Sequence, residues 1–100
     1  MIPKGFSKKL WSDRAIDRLS YAHDASMYRL VPKAVSRPEN ESDVISILQY
    51  ANDTNTPITF RAGGTSLSGQ SVSEGIIAEI IRGWQNHKII DNGRSIRLQP

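Results

Sequence analysis

The chain has no cysteine among its 100 residues. That excludes disulfides, thiolate metal sites and a cysteine nucleophile, and it agrees with a cytoplasmic location. No apolar run approaches the roughly 20 residues that a membrane-spanning helix needs. The N-terminal stretch "MIPKGFSKKLWSD" lacks the apolar centre of a secretory signal. Charge is not concentrated either: the net +3 is spread along the chain, so no nucleic-acid face is indicated. His23 and His87 lie too far apart in sequence to suggest a metal pair. What remains is 38% hydrophobic and 23% charged, enough for one small domain with a modest core.

The pattern along the chain predicts an α+β fold. "SDRAIDRLSYA" reads as a short helix with Ser12 as N-cap and Ala15, Ile16 and Leu19 at helical spacing. Asp13 and Asp17 beside Arg14 and Arg18 read as its solvated face. "HDASMYRLVPKAVSRP" has no clean period. Pro32 and Pro38 oppose helix there, and "AVS" is predicted as a short strand. "ENESDVISILQYANDTN" carries the strongest helical signal. Asn40 or Ser42 can cap it, and Val44, Ile47, Leu48 and Ala51 fall on one face. Asn55 suits the left-handed position after its end, and Pro57 blocks continuation. "ITF" is then predicted as a buried strand, "GIIAEII" as a second one, and "HKIIDNGRSIRLQP" as a hairpin turning at Asp91-Asn92-Gly93. Trp11 and Trp84 are expected to pack. The chain stops in what reads as a strand, and it is therefore expected to be one partial domain of a longer protein, with residues 1–20 as a helical extension.

The functional signal is "FRAGGTSLSGQSV", Phe60 to Val72, with three glycines and a run of hydroxyl and amide side chains. Gly64 to Ser71 matches a P-loop except that Gln70 stands where the lysine should be, and an amide supplies no point charge. A P-loop also opens a helix, whereas a strand is predicted here. A dinucleotide-binding turn fits less well, since Gly63 and Gly64 are adjacent and no helix follows. A glycine turn without a ligand is a further reading. Against it stands the density of small residues: Gly63, Gly64, Thr65, Ser66, Ser68 and Gly69 offer successive N–H donors with little bulk, and Arg61 adds charge beside them. Such a nest of amides suits a pyrophosphate.

"PITFRAGGTSLSGQSV" resembles the pyrophosphate-binding loop of FAD-linked oxidases and dehydrogenases of the vanillyl-alcohol oxidase type. It is most similar to the branch with D-lactate dehydrogenase and the FAD subunit of glycolate oxidase. "YAHDASMYRLVPKAVSRPENESDVISILQYA" and the hairpin segment share the likeness, which covers about residues 20 to 100. The resemblance implies the N-terminal half of an FAD-binding domain, a β-α-β unit plus a hairpin. It implies that the N–H groups of Ala62, Gly63, Gly64, Thr65, Ser66 and Gly69 cradle the FAD diphosphate. Gln70 and Ser71 would lie near the cofactor, and Pro38 near its adenine end. With Thr65 where some relatives have histidine, FAD would be held non-covalently. The implied parent oxidises a small 2-hydroxy acid by hydride transfer to flavin. The residues that bind the acid would then lie in the rest of that flavoenzyme, so this chain by itself would be inactive and would bind FAD poorly.

Overall fold

The computed structural model describes residues 1–100. Its centre is a four-stranded sheet in the order β1-β2-β4-β3, made of β1 (Trp11–Ser12), β2 (Ala34–Ser36), β3 (Ile58–Arg61) and β4 (Ile76–Glu79). β4 runs parallel to both β2 and β3, pairing Val35 with Ile77 and Ile77 with Thr59. β1 closes the other side of β2, antiparallel, with Trp11 opposite Ser36. Helix α1 (Ala15–Ser20) follows β1, and helix α2 (Glu41–Asp53) joins β2 to β3.

Both ends of α2 are fixed by side-chain and turn chemistry written into the sequence. The Asn40 side chain accepts from the Asp43 N–H at 2.9 Å, satisfying one amide that the first turn cannot. At the far end Asn55 takes φ +49°, while Thr56 N donates to Ala51 O and Asn55 N to Asn52 O. That pair of bonds is the Schellman arrangement, and it satisfies carbonyls the helix leaves open. Ile47 and Ala51 face inward and are buried. They meet Ala34 and Ile76 from the sheet together with Leu10 and Trp11, and Ile58 packs against the cluster. Phe6, Trp11 and Tyr50 close it with ring centroids 5.0–5.6 Å apart.

Several expectations meet a different structure. Ser12 is a strand residue and not a helix cap: α1 begins after Arg14, with no side-chain cap. The Ser12 hydroxyl donates to Asp17 at 2.6 Å and accepts from the Arg14 N–H at 3.3 Å. The N-terminal segment is accordingly a sheet edge plus a short helix. β3 is the other edge of the sheet and is only half-buried, with Phe60 exposed, because nothing pairs beyond it. Leu48 on α2 is also exposed, at 42%. β4 ends at Glu79, so Ile80 and Ile81 lie past the strand.

The hairpin forms as its turn residues predict. β5 (His87–Ile90) and β6 (Ser95–Leu98) pair antiparallel around Asp91, Asn92 and Gly93, at φ +53°, +54° and +90°. It makes a sheet of its own. One face carries Ile89, Ile96 and Leu98, all well exposed, and the other carries Lys88 and Arg97.

Candidate functional site

The three parallel strands deliver their C-terminal ends to one edge of the sheet, the position where open α/β sheets take ligands. β2 ends there at Ser36, β3 at Arg61 and β4 at Glu79, so that Pro38, Ala62 and Ile80 lie just past the strand ends. The glycine-rich segment is the connection from β3 to β4. It contains no helix before Ile76, which removes the structural context a P-loop requires.

The backbone of this loop is open. None of the six N–H groups from Ala62 to Leu67 donates to an acceptor in the protein. Successive amides without partners in the protein are available as a donor set for an anion. Gly64 and Gly69 sit at φ +68° and +82°, backbone that side-chain-bearing residues adopt only with strain. Ala62, Gly63 and Thr65 are exposed, while Gly64 and Ser66 are partly covered. Farther along, the Gln70 side chain accepts from the Ser68 N–H at 3.1 Å and closes the turn from within.

The loop is braced by the segment that follows α1. Ser71 is buried, and its hydroxyl donates to Asp24 at 3.2 Å. Asp24 in turn accepts from both the amide and the hydroxyl of Ser26 in an Asx-turn. The Ser26 and Ser71 donors hold the Asp24 carboxyl below the usual aspartate range. Tyr28 packs on Gly69 so closely that a Cβ there would lie 2.9 Å from its ring. Arg61 does not stand beside the loop as a free charge. Its Nη1 donates to the carbonyls of His23 at 3.1 Å and of Tyr21 and Ser71 at 3.4 Å, and its guanidinium lies 5.1 Å from the Tyr21 ring centroid.

Tyr21 is itself held from below. Its hydroxyl donates to Glu79, and the Arg37 guanidinium lies 5.5 Å from the ring centroid. Arg37 also pairs with Asp17 at 3.1 Å and Glu79 at 3.6 Å. Burial, and then the bond to Glu79, push the Tyr21 phenol above its ordinary value. The Ser12 hydrogen bond, aided by Arg37, holds Asp17 low.

Of the residues expected at the site, the structure gathers Arg61, Ala62, Gly63, Gly64, Thr65, Ser66, Gly69, Gln70 and Ser71 into one loop. Pro38 is fully buried and connects through Trp84, whose indole N–H donates to the Pro38 carbonyl at 2.7 Å. Trp84 also borders an apolar groove of about 680 Å³ that runs from Val44 and Ile45 past Phe60 to Ala62. Sequence reasoning passed over Tyr21 and gave Asp24 no role at the site. The Asp-x-Ser spacing marks Asp24 as a turn residue, but no local signal ties Tyr21 to a loop forty residues away.

The FAD binding domain family matches residues 32–100. The chain is 41% identical over 69 residues to D-2-hydroxyglutarate dehydrogenase of Pantoea ananatis, an alignment covering 66% of this chain and 7% of that protein. It is 37% identical over 65 residues to D-lactate dehydrogenase of Archaeoglobus fulgidus, covering 58% and 15% respectively. Among solved structures, an alkyldihydroxyacetonephosphate synthase superposes on 88% of this chain and 20% of its own, with TM-score 0.68 at 18% identity, a likeness of fold. The chain thus spans a small part of the relatives it matches. With the match running from just before β2 through the open loop to the end of the hairpin, the chain belongs to the FAD binding domain family.

Proposed function

We propose that this chain is the diphosphate-binding part of a flavin-dependent dehydrogenase acting on a small 2-hydroxy acid. The observation that carries this reading is the row of six unpartnered amides, Ala62 to Leu67, at the C-terminal edge of a parallel sheet. A diphosphate offers charged oxygens that such amides can share, and hydrogen bonds to charged groups are worth about 1.5–3 kcal/mol each. In this reading the amides of Ala62 to Ser66 and of Gly69 hold the diphosphate. Gln70 and Ser71 shape the far side of the loop, Arg61 lies behind it, and Pro38 borders the adenine end. FAD, when bound, accepts the hydride from the hydroxy acid; the work of these residues is to bind and orient it.

The substrate class rests on the relatives, which are named as D-2-hydroxyglutarate and D-lactate dehydrogenases. Their greater length fits an acid-binding site outside this chain, in the remainder of the flavoenzyme. A cytoplasmic location is part of the same proposal; no helix is long and apolar enough to cross a membrane.

The test is Gly64→Val in the longer protein that carries this segment. The structure supplies the reason for the choice: Gly64 has φ +68°, and a side chain there would overlap the Arg61 guanidinium. The variant should purify without yellow flavin absorbance. Undiminished flavin content would show that this loop is not the cradle.

A further inference from the structure

We infer that Arg61 is a positioning residue: its guanidinium is the strut on which the open loop is moulded, and it serves a bound diphosphate through the loop and not as a direct charge partner. This rests on the diphosphate reading above and deepens it.

The starting point is a gap in the bonding of the loop. From Ala62 to Leu67 the backbone donates no hydrogen bond to the protein, so its own amides do not hold its shape. The polar ties that fix it come from elsewhere. Arg61 stands at the start of the loop and reaches the carbonyl of Ser71 at its end, so one side chain spans the mouth of the loop. The same Nη1 holds the carbonyls of Tyr21 and His23 in the segment alongside. Three carbonyls facing one nitrogen is an arrangement for a cation that stays in place. The Nε of Arg61 is buried without a partner, enclosed by the structure it supports.

Gly64 gives a second, independent observation. A Cβ built on it would overlap the terminal atoms of Arg61. The loop therefore rests directly on the guanidinium, and the glycine is needed there to let it do so. The guanidiniums of Arg61 and Arg37 both lie close to the Tyr21 ring, and its hydroxyl is tied to Glu79 at the end of β4. Loop position is thereby referred to the central strand. Tyr21, His23, Asp24 and Tyr28 all lie outside the family-matched segment 32–100, so the brace comes from a part of the chain that the family's match does not include.

A planar fork held by three carbonyls and an aromatic face is not replaced by an ammonium group, although the charge is the same. Arg61→Lys and Arg61→Ala in the ¹⁵N-labelled chain separate the two roles, read by amide spectra without ligand and during titration with inorganic pyrophosphate at several salt concentrations. The expected result has both variants losing the single sharp set of Ala62–Ser71 signals, with Val35 and Ile77 unchanged. Both should weaken pyrophosphate binding by about tenfold or more, and both should keep the salt dependence of the original chain. If Arg61→Lys leaves loop signals and affinity intact while Arg61→Ala flattens the salt dependence, Arg61 is a direct charge partner and the inference is overturned. The lysine variant keeps the aliphatic stem, so it decides the matter if Arg61→Ala does not fold. Should pyrophosphate shift no loop amide even in the original chain, the diphosphate reading fails. The ligand-free spectra still decide whether Arg61 is the strut.

Discussion

The two faces of the central sheet are made by alternate residues of the same strands, yet they are held in opposite ways. Toward α2 point Ala34, Ile58 and Ile76, which join Ile47, Ala51, Leu10 and Trp11 in a cluster with no charged member. Toward α1 point Val35 and Ile77, and then, at the strand ends, Arg37, Arg61 and Glu79 around Tyr21. The first face is stabilised by removing apolar surface from water, which is insensitive to pH and tolerant of small geometric errors. The second depends on ion pairs and oriented hydrogen bonds, which are individually weaker but directional. The loop proposed to bind the cofactor is fastened to the second face. Where a few tenths of an ångström in amide position matter, directional bonds are the better anchor.

The comparison breaks if the apolar face is not the main source of stability. Ile47→Ala should therefore show the largest effect, a loss of about 2–5 kcal/mol in urea unfolding, since Ile47 is 1% exposed. A loss of under about 1 kcal/mol would mean that the polar face or the hairpin carries the fold. Tyr21→Phe keeps the ring beside the two guanidiniums and removes the hydroxyl that serves Glu79. It should cost about 1 kcal/mol, and high salt should shrink the loss. No loss at all would show that Tyr21 acts through its ring and not through the hydroxyl bond to Glu79.

Titration gives a smaller and sharper test. Asp17 is held below its ordinary 3.8, so its contribution is present above that pH and fades as pH falls through the lowered value. Tyr21 is pushed above its ordinary 10.0, so its contribution is present below that pH and is lost as pH rises through the raised value. Chemical unfolding followed across pH should show this part of the stability level between the two limits and declining outside both. In Tyr21→Phe the alkaline decline should disappear and the acid one remain. The smallest effect is expected in the hairpin. Ile89 is 64% exposed, and Ile89→Lys should change stability by no more than about 0.5 kcal/mol. A larger loss would show that the hairpin's apolar face is covered in solution.

What the sequence disclosed was local chemistry with one structural outcome. Asn40 before an acidic first turn, Asn55 followed by Pro57, and Asp91-Asn92-Gly93 between β-branched residues each specify a backbone geometry, and each forms. The strand after the glycine run was legible for the same reason, as was the loop that precedes it. What stayed hidden depends on partners distant in sequence. Ser12 has the composition of a helix cap, but pairing with β2 captures it first. Phe60 has the composition of a buried strand residue, but strand order leaves β3 at the edge. Arg61 beside a glycine run suggests a free charge for an anion. Only the fold places the carbonyls of Tyr21, His23 and Ser71 around it.

The strand order also sets a sequence of events during folding. β4 is the last strand of the four in the chain but lies between β2 and β3, and it is the sole partner of β3. Until residues past Ile76 arrive, β2 and β3 cannot be joined and the glycine loop has only one fixed end. Closing that long, glycine-rich connection is an entropic step that precedes the reward of pairing. β3 thus gains its only strand partner across this loop, and changes that alter the loop's flexibility are expected to register in the refolding rate.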